Sequence, residues 1–398
     1  MLNHLIEEQL QKRILIIDGA MGTMLQRENL SAEDFGGEVL EGCNENLVLT
    51  RPDVVKNIHL GYLKAGADII CTNTFGGTPL VLNEYGLGEK AEEINKRAVE
   101  LALEAVEAYS TPEWPRFVAG AIGPTTKTLS VTGGITFDEL SENFYVQAKA
   151  LIEAGCHLLL LETSQDMLNV KAASLGINQA FRETEKELPI MISATIEPMG
   201  TTLAGQTIEA FYISIEHIKP LSIGLNCATG PEFMTDHIRS LADLSTSYIS
   251  CYPNAGLPDE EGHYHETPES LSIKLRGFAE KGWLNLVGGC CGTTPDHIQA
   301  IRTAVEGYEP RPLPKKTHGH VVSGIEPLQY DDSMRPLFIG ERTNVIGSRK
   351  FKRLIIEGKF EEAAEIARAQ VKNGAHVIDV CLANPDRDEL EDMRNFME

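Results

Sequence analysis

At 398 residues the chain exceeds what one hydrophobic core usually supports, so one large domain with a fragment, or two domains, is expected. Its 58 acidic against 35 basic residues give a formal charge of -23, which would repel a phosphate backbone and argues against a nucleic-acid partner. No apolar run reaches the roughly 18 to 20 residues that span a bilayer, and the opening MLNHLIEEQLQKR lacks the apolar centre of a signal peptide, so a cytoplasmic protein without a membrane partner is expected.

In chain order, eight short apolar, β-branched runs end in small or polar residues that a strand interior would not choose. They are Ile14 to Ala20, Asp68 to Phe75, Phe117 to Pro124, His157 to Thr163, Pro189 to Ile196, Leu221 to Ala228, Ser247 to Gly256 and Leu284 to Gly292. Helical patterns separate them. In the first, Val55, Ile58, His59, Tyr62 and Leu63 share one face, with Pro52 placed for the first turn; Ile94, Ala98, Leu101, Ala102 and Ala105 repeat the logic in the second. The joints LKAGADIICTNT (63–74), IEAGCHLLLLET (152–163) and VKNGAHVIDVCL (371–382) each put a glycine where a helix end needs a left-handed residue, then enter an apolar strand. Such runs suit parallel strands buried on both faces. Eight strand-helix units over residues 1–307 predict an α/β fold, a (β/α)8 TIM barrel, with a doubly wound open sheet as the alternative.

Residues 308–335, beginning YEPRPLPKK, are rich in proline and charge without a clear period and are expected to be a linker. Over 336–398, LFIGERTNVIGS (337–348) predicts a strand and polar turn, Phe360 to Lys372 a helix, and His376 to Cys381 a strand. This is the beginning of a second, incomplete α/β barrel, or else a small appendage packed on the first domain.

Loops after the strands build the active site of such a barrel. Here those positions are polar and cysteine-rich: Asp18 to Thr23 after the first strand, Thr72-Asn73-Thr74 after the second, Glu162-Thr163 after the fourth, Asn226-Cys227 after the sixth, Asn254 after the seventh and Gly288 to Gly292 after the eighth. The eight cysteines are too sparse for a secreted disulfide scaffold and are expected as free thiols, core residues or metal ligands. Cys227, Cys290 and Cys291 would converge at one rim, giving three thiolates and one open position, the pattern of a catalytic zinc site. Adjacent cysteines point apart along a strand, so the glycines around the pair would supply the turn that aims both inward. Burial as small apolar residues, or a vicinal disulfide, are the plainer readings. His263 and His265 in EEGHYHET form a competing metal set in an exposed loop, with His318 and His320 a weaker one in the linker. Asp18 and Glu162 could hold a substrate ammonium group. The plain alternative for Asp18 is a turn or helix cap, and for Glu162 a solvated surface position. Backbone amides around Gly19 and Ala20 could take a carboxylate.

With DGAMGT (18–23), TNTF (72–75), GLNC (224–227) and GGCCGT (288–293) in this order, the chain resembles the homocysteine S-methyltransferase family over roughly residues 10–306. After the linker, SGIEPL (323–328), GERTNVIGS (340–348) and QVKNGAHVIDV (370–380) resemble the start of the pterin-binding, methyltetrahydrofolate domain of the cobalamin-dependent methionine synthases. Cys381 and the following LANPDRDE depart from that pattern, which often has asparagine and then an acidic, glycine-containing stretch.

The resemblance implies zinc held by Cys227, Cys290 and Cys291, with Asn254 in the fourth position before substrate arrives. It implies that Asp18 and Glu162, with Gly19 and Ala20, recognise the amino acid end of homocysteine, and that Thr72 and Asn73 line the pocket. Glu341, Asn344 and Asp379 would be folate contacts. The implied reaction is methyl transfer to the homocysteine thiol to form methionine. The donor is methylcobalamin, bound by another domain or protein and regenerated from methyltetrahydrofolate. A cobalamin-independent enzyme using betaine or S-methylmethionine, a metal-free barrel that docks a corrinoid protein, and a cysteine-nucleophile enzyme are the alternatives.

Overall fold

The structure is a computed structural model that describes residues 2–315 and 319–397, so His318 lies outside the described residues. Strands form where the apolar runs lie: β1 Leu15–Ile16, β2 Ile69–Cys71, β3 Phe117–Ile122, β4 Leu158–Ser164, β5 Ile190–Ala194, β6 Ser222–Asn226, β7 Tyr248–Tyr252 and β8 Leu286–Val287. All pair in parallel, in the order β1-β8-β7-β6-β5-β4-β3-β2, and a parallel bridge from Ile17 to Ile69 joins the first strand to the second. The ring is therefore a (β/α)8 barrel and the open-sheet alternative falls. One helix, α1 Leu2–Lys12, precedes β1. Apart from short helical turns in the loops after the first two strands, eight longer helices follow the strands in turn: α2 Pro52–Ala65, α3 Ala91–Glu107, α4 Phe137–Ala154, α5 Met167–Thr184, α6 Ile208–Ile215, α7 Pro231–Leu244, α8 Pro268–Glu280 and α9 Pro295–Val305. No described helix is long and apolar enough to cross a membrane.

Local chemistry sets the helix ends. Proline occupies the first turn of α2, α7, α8 and α9, where its missing N–H costs nothing. Threonine caps α4, α6 and α8 through its side chain, and Thr136 forms a reciprocal box with Glu139. Gly66 and Gly155 end α2 and α4 with φ of 105° and 94°, as the helix-to-strand joints predict.

Alternate strand residues face opposite ways. One set, including Leu15, Ile17, Ile69, Phe117, Leu158, Leu160, Met191 and Leu286, forms a cluster inside the ring. Ile6 and Leu10 of α1 join it, so this helix stoppers the N-terminal mouth, a role the sequence reading did not assign to it. At the C-terminal mouth the strand ends line a cavity instead.

The segment expected as a linker is partly bound to the barrel. Arg311 is buried, and its guanidinium donates to the carbonyls of Ala242, Ser245 and Ser247 at 2.8, 2.5 and 3.1 Å. The described chain divides into two compact units, residues 2–315 with 322–328, and 319–321 with 329–397. In the second, β9 Ile339–Asn344 pairs in parallel with β10 Val377–Cys381. Two helices, α10 Arg349–Ile356 and α11 Phe360–Lys372, connect these strands, and α12 Glu389–Met397 follows. Val345, Phe351, Leu354, Ile355, Ala363 and Leu382 form its own core. The 8-residue α10 and 9-residue α12 have no counterpart in the sequence reading, because two turns are too few to establish a period.

Candidate active site

The C-terminal strand ends surround a cavity of ≈ 460 Å³ lined by Asp18, Gly19, Ala20, Cys71, Thr72, Asn73, Glu162, Tyr252, Cys227, Cys290 and Cys291, among others. This size is ordinary for a small-molecule site. The Sγ atoms of Cys227, Cys290 and Cys291 all lie within 4.8 Å of one another, and among the described residues no other group of His, Cys, Asp and Glu side chains is so gathered. Cys290 and Cys291 are free thiols, not a vicinal disulfide.

Their aim follows from the backbone. Cys227 and Ala228 adopt left-handed φ of 61° and 54°, which turns the chain sharply at the end of β6. After β8, Gly292 has φ of 80°, and a Cβ there would lie 2.4 Å from Tyr264 Cβ. The loop after β7 clamps the cysteine pair: Cys290 N donates to Pro253 O at 2.8 Å, Ala255 N to Cys291 O at 2.8 Å, and Cys291 N to Asn254 Oδ1 at 3.1 Å. Thr293 Oγ1 donates to Cys290 O at 2.6 Å and accepts the Ala20 N–H at 3.2 Å.

A tetrahedral ion with metal–sulfur bonds of about 2.3 Å sets its sulfurs about 3.8 Å apart. The Cys227 to Cys291 Sγ separation is 3.8 Å. Hydrogen bonds from Cys227 and Cys290 draw the Cys291 thiol well below its ordinary value, while Cys290, bonded to the same two neighbours, is held well above it. Cys290 eases Cys227 down, but its bond to Cys291 and its burial outweigh this and raise it overall. Ionising one sulfur thus discourages the other two, a conflict that a divalent cation would relieve. The donor set fits zinc.

The carboxylates face the same cavity. Glu162, ending β4, has no hydrogen bond or ion pair among the described residues, and burial, with Asp18 and Cys227 nearby, raises it to about 8. Asp18 accepts the Cys71 N–H at 2.9 Å, and burial lifts it to about 7 against that bond. Glu45, which accepts the Gly76 N–H at 2.7 Å, is a third acid on the wall, and no lysine, arginine or histidine among the described residues lines the cavity, so a positively charged ligand group would meet acids that no cation compensates.

The remaining expected residues are placed as follows. Thr72 Oγ1 accepts the Ala121 N–H at 3.0 Å and shares a 2.6 Å bond with Thr74 Oγ1, and Asn73 Nδ2 donates to Asn44 O at 2.7 Å. The Ala20 amide donates to Thr293 Oγ1 at 3.2 Å. His265 is exposed and bonded to Asp259 Oδ2 at 2.6 Å, and neither it nor His263 belongs to a metal-sized group. His320 stacks on Tyr330 with ring centroids 5.7 Å apart. In the second unit Glu341 and Asp379 are exposed, while Asn344 Oδ1 accepts the Ile346 and Gly347 amides at 2.8 and 3.0 Å.

Sequence reading left Asn226 and Tyr264 without roles. Asn226 is fully buried and bonds both Thr163 and, at 3.9 Å, Cys290 Sγ. Tyr264, between the two exposed histidines, lines the cavity beside Cys291, whose thiol it helps to lower. The signal for Asn226 was its place beside Cys227 at a strand end.

The chain matches the family model of homocysteine S-methyltransferases over residues 15–305 and that of pterin binding enzymes over residues 340–398. Among solved structures it is similar to the homocysteine methyltransferase MmuM from Escherichia coli. The oxidized form is 23% identical, covering 75% of this chain and 97% of that one, with a TM-score of 0.62. The metallated form is 22% identical, covering 76% and 99%, with a TM-score of 0.61. The apo form, also 22% identical over 74% and 97%, has a TM-score of 0.56.

Proposed function

Because the chain belongs to the homocysteine S-methyltransferase family and is thereby a methyltransferase acting on homocysteine, we propose that its reaction is that of a cytoplasmic, cobalamin-dependent methionine synthase. In this reading homocysteine becomes methionine at a zinc site, with methylcobalamin as donor, presented by another domain or protein. The observation that carries it is the trio of Cys227, Cys290 and Cys291 sulfurs, with a 3.8 Å edge, in one cavity with the carboxylates of Glu162 and Asp18, neither of which meets a cationic side chain among the described residues.

Cys227, Cys290 and Cys291 would hold the zinc, with Asn254 assigned to the fourth position before substrate arrives. When bound, zinc supplies a Lewis acid that keeps the substrate sulfur as thiolate, where a free thiol of pKa about 8.5 would be mostly protonated. Glu162 and Asp18 take the ammonium group and so turn the other end of the amino acid toward the sulfurs. Thr72 and Asn73 wall the site, and the backbone at Gly19 and Ala20 borders the carboxylate end. The cavity far exceeds homocysteine alone, which leaves a path for a bulky donor.

The pterin-binding match favours methyltetrahydrofolate as the source of the methyl group over betaine or S-methylmethionine. Residues 1–307 are then the homocysteine barrel, 308–335 the connection, and 336–398 the start of the folate barrel, with Glu341, Asn344 and Asp379 as its proposed contacts. The test is methionine formation from homocysteine with methylcobalamin, betaine and S-methylmethionine compared as donors, and zinc measured alongside. Turnover with methylcobalamin is expected. Turnover with only one of the other two, or full activity without zinc, overturns the reading.

A further inference from the structure

At the other end of the barrel, before the first three strands, three guanidinium groups crowd one indole. Arg13 lies over the Trp114 ring at 4.1 Å, Arg302 at 5.4 Å and Arg116 at 5.7 Å. One buried carboxylate answers them, and its capacity is spent. Asp68 Oδ2 accepts from Arg13 Nη1 at 2.6 Å and Ile16 N at 2.9 Å, and Oδ1 from Arg116 Nη1 at 2.5 Å and Trp114 Nε1 at 2.9 Å. The Arg302 guanidinium has no hydrogen bond or ion pair among the described residues. Arg13 Nη2 and Arg116 Nε are buried with no partner. Burial pushes Arg116 below its ordinary value, Asp68 opposes this, and Arg13 and Arg302 add to it by repulsion.

Arg13, Trp114, Arg302 and Asp68 wall a cavity of ≈ 70 Å³, with exposed Glu306 at its edge. Arg13 and Arg302 stand on this wall with Asp68 and Glu306, and Arg116, bonded to Asp68 from outside the lining, makes the cluster three positive groups to two negative ones, a local excess of positive charge in a chain of formal charge -23. The unpaired guanidinium of Arg302 is the cation this wall leaves without a carboxylate, and water can satisfy its hydrogen bonds without offsetting its charge. An oxyanion does both, and guanidinium forks match its geometry. A water takes about 30 Å³, so the space suits one tetrahedral oxyanion.

We propose that this cavity is an anion site for the phosphate group, as inorganic phosphate or the terminal group of a phosphate monoester. The site is far from the thiols and independent of the methyl-transfer reading.

Trp114 and Trp283 are the chain's two tryptophans, so Trp283→Phe in the full chain leaves Trp114 as the fluorescent reporter. Inorganic phosphate and glycerol phosphate are each titrated against sodium chloride of equal ionic strength, with thermal unfolding followed in parallel. A saturable change in Trp114 emission and a rise in Tm with phosphate are expected, both absent with chloride. Arg302→Gln is expected to weaken the binding at least tenfold, and Arg302→Lys, which keeps the charge but not the fork, to weaken it also. The tighter of the two phosphate ligands identifies the source. An unchanged emission and Tm, an equal response to chloride, or undiminished binding by both Arg302 variants overturns the proposal.

Discussion

Asn226 grips Thr163 with both ends of its amide: Nδ2 donates to Thr163 Oγ1 at 2.8 Å, and Oδ1 accepts the Thr163 N–H at 2.9 Å. This ties the end of β6, which carries Cys227, to the end of β4, which carries Glu162. Thr163 and Cys227 both have left-handed backbones, with φ of 55° and 61°. Such conformations cost of order 1–3 kcal/mol in residues other than glycine and persist only where the surroundings hold them.

Asn226→Ala removes that clasp and leaves the Thr163 groups buried without partners. A stability loss of about 1–3 kcal/mol in urea unfolding is expected. A rise in KM for homocysteine of about tenfold should accompany it, as Glu162 drifts from the sulfurs. A variant with unaltered KM and unaltered midpoint would show that the clasp does neither job.

For the three thiols the expectation is loss of metal rather than loss of fold. Cys227→Ala, Cys290→Ala and Cys291→Ala each leave two sulfurs, too few for a stable site with an open position. Each is expected to lose stoichiometric zinc and methyl transfer while the far-ultraviolet circular dichroism stays that of the parent. Stoichiometric zinc retained by all three would dismiss the cluster as a metal site.

How far these features were legible in the sequence depends on what each one rests on. The barrel was legible because strands buried on both faces stay apolar throughout, and four leucines followed by Glu162 mark where such a strand meets its loop. The cysteine trio was legible because its members end strands that a closed ring must bring to one rim. The clasp by Asn226 was not, since it depends on left-handed turns at Thr163 and Cys227, where no glycine announces them. Tyr264 was hidden for a related reason: the path of an irregular loop decides that it, and not its flanking histidines, reaches Cys291. The contact of the Ala20 amide with Thr293 was hidden as well, because 273 positions separate the two in the chain.

Gly176 separates helix propensity from packing. It lies inside α5, where alanine would ordinarily stabilise by about 1 kcal/mol. A Cβ at this position would sit 2.4 Å from Ser141 O and 2.7 Å from Tyr145 N, both backbone atoms of α4. Backbone cannot swing aside as a flexible side chain can, so the helices must part. Gly176→Ala is therefore expected to destabilise by about 1–3 kcal/mol, against the sign that propensity alone gives. A raised urea midpoint would show that α4 yields easily.

Asp18 and Glu162, the two cavity acids assigned to the ammonium group, give a pH dependence whose sign can be worked out; Glu45, on the same wall and also raised by burial, acts in the same direction. Both are raised by burial, Asp18 to about 7 and Glu162 to about 8, from unfolded values near 4. The folded state thus holds their protons more tightly than the unfolded chain does. Their contribution to stability is full below about pH 4 and is lost as pH climbs through 7 and 8. A ligand ammonium group reverses the preference, because it favours the ionised acids. Methionine is the apt probe, having the ammonium group but no thiol proton to confuse the titration. Its binding should tighten from pH 6 to pH 8, by up to about tenfold per pH unit for each acid still protonated, and should release protons. Calorimetry in two buffers of different ionisation enthalpy measures both quantities. Glu162→Gln should abolish the part of the rise nearest pH 8 and weaken binding there at least tenfold while zinc stays bound. Affinity that is flat from pH 6 to 8, with no proton released, would remove these acids from the ammonium site.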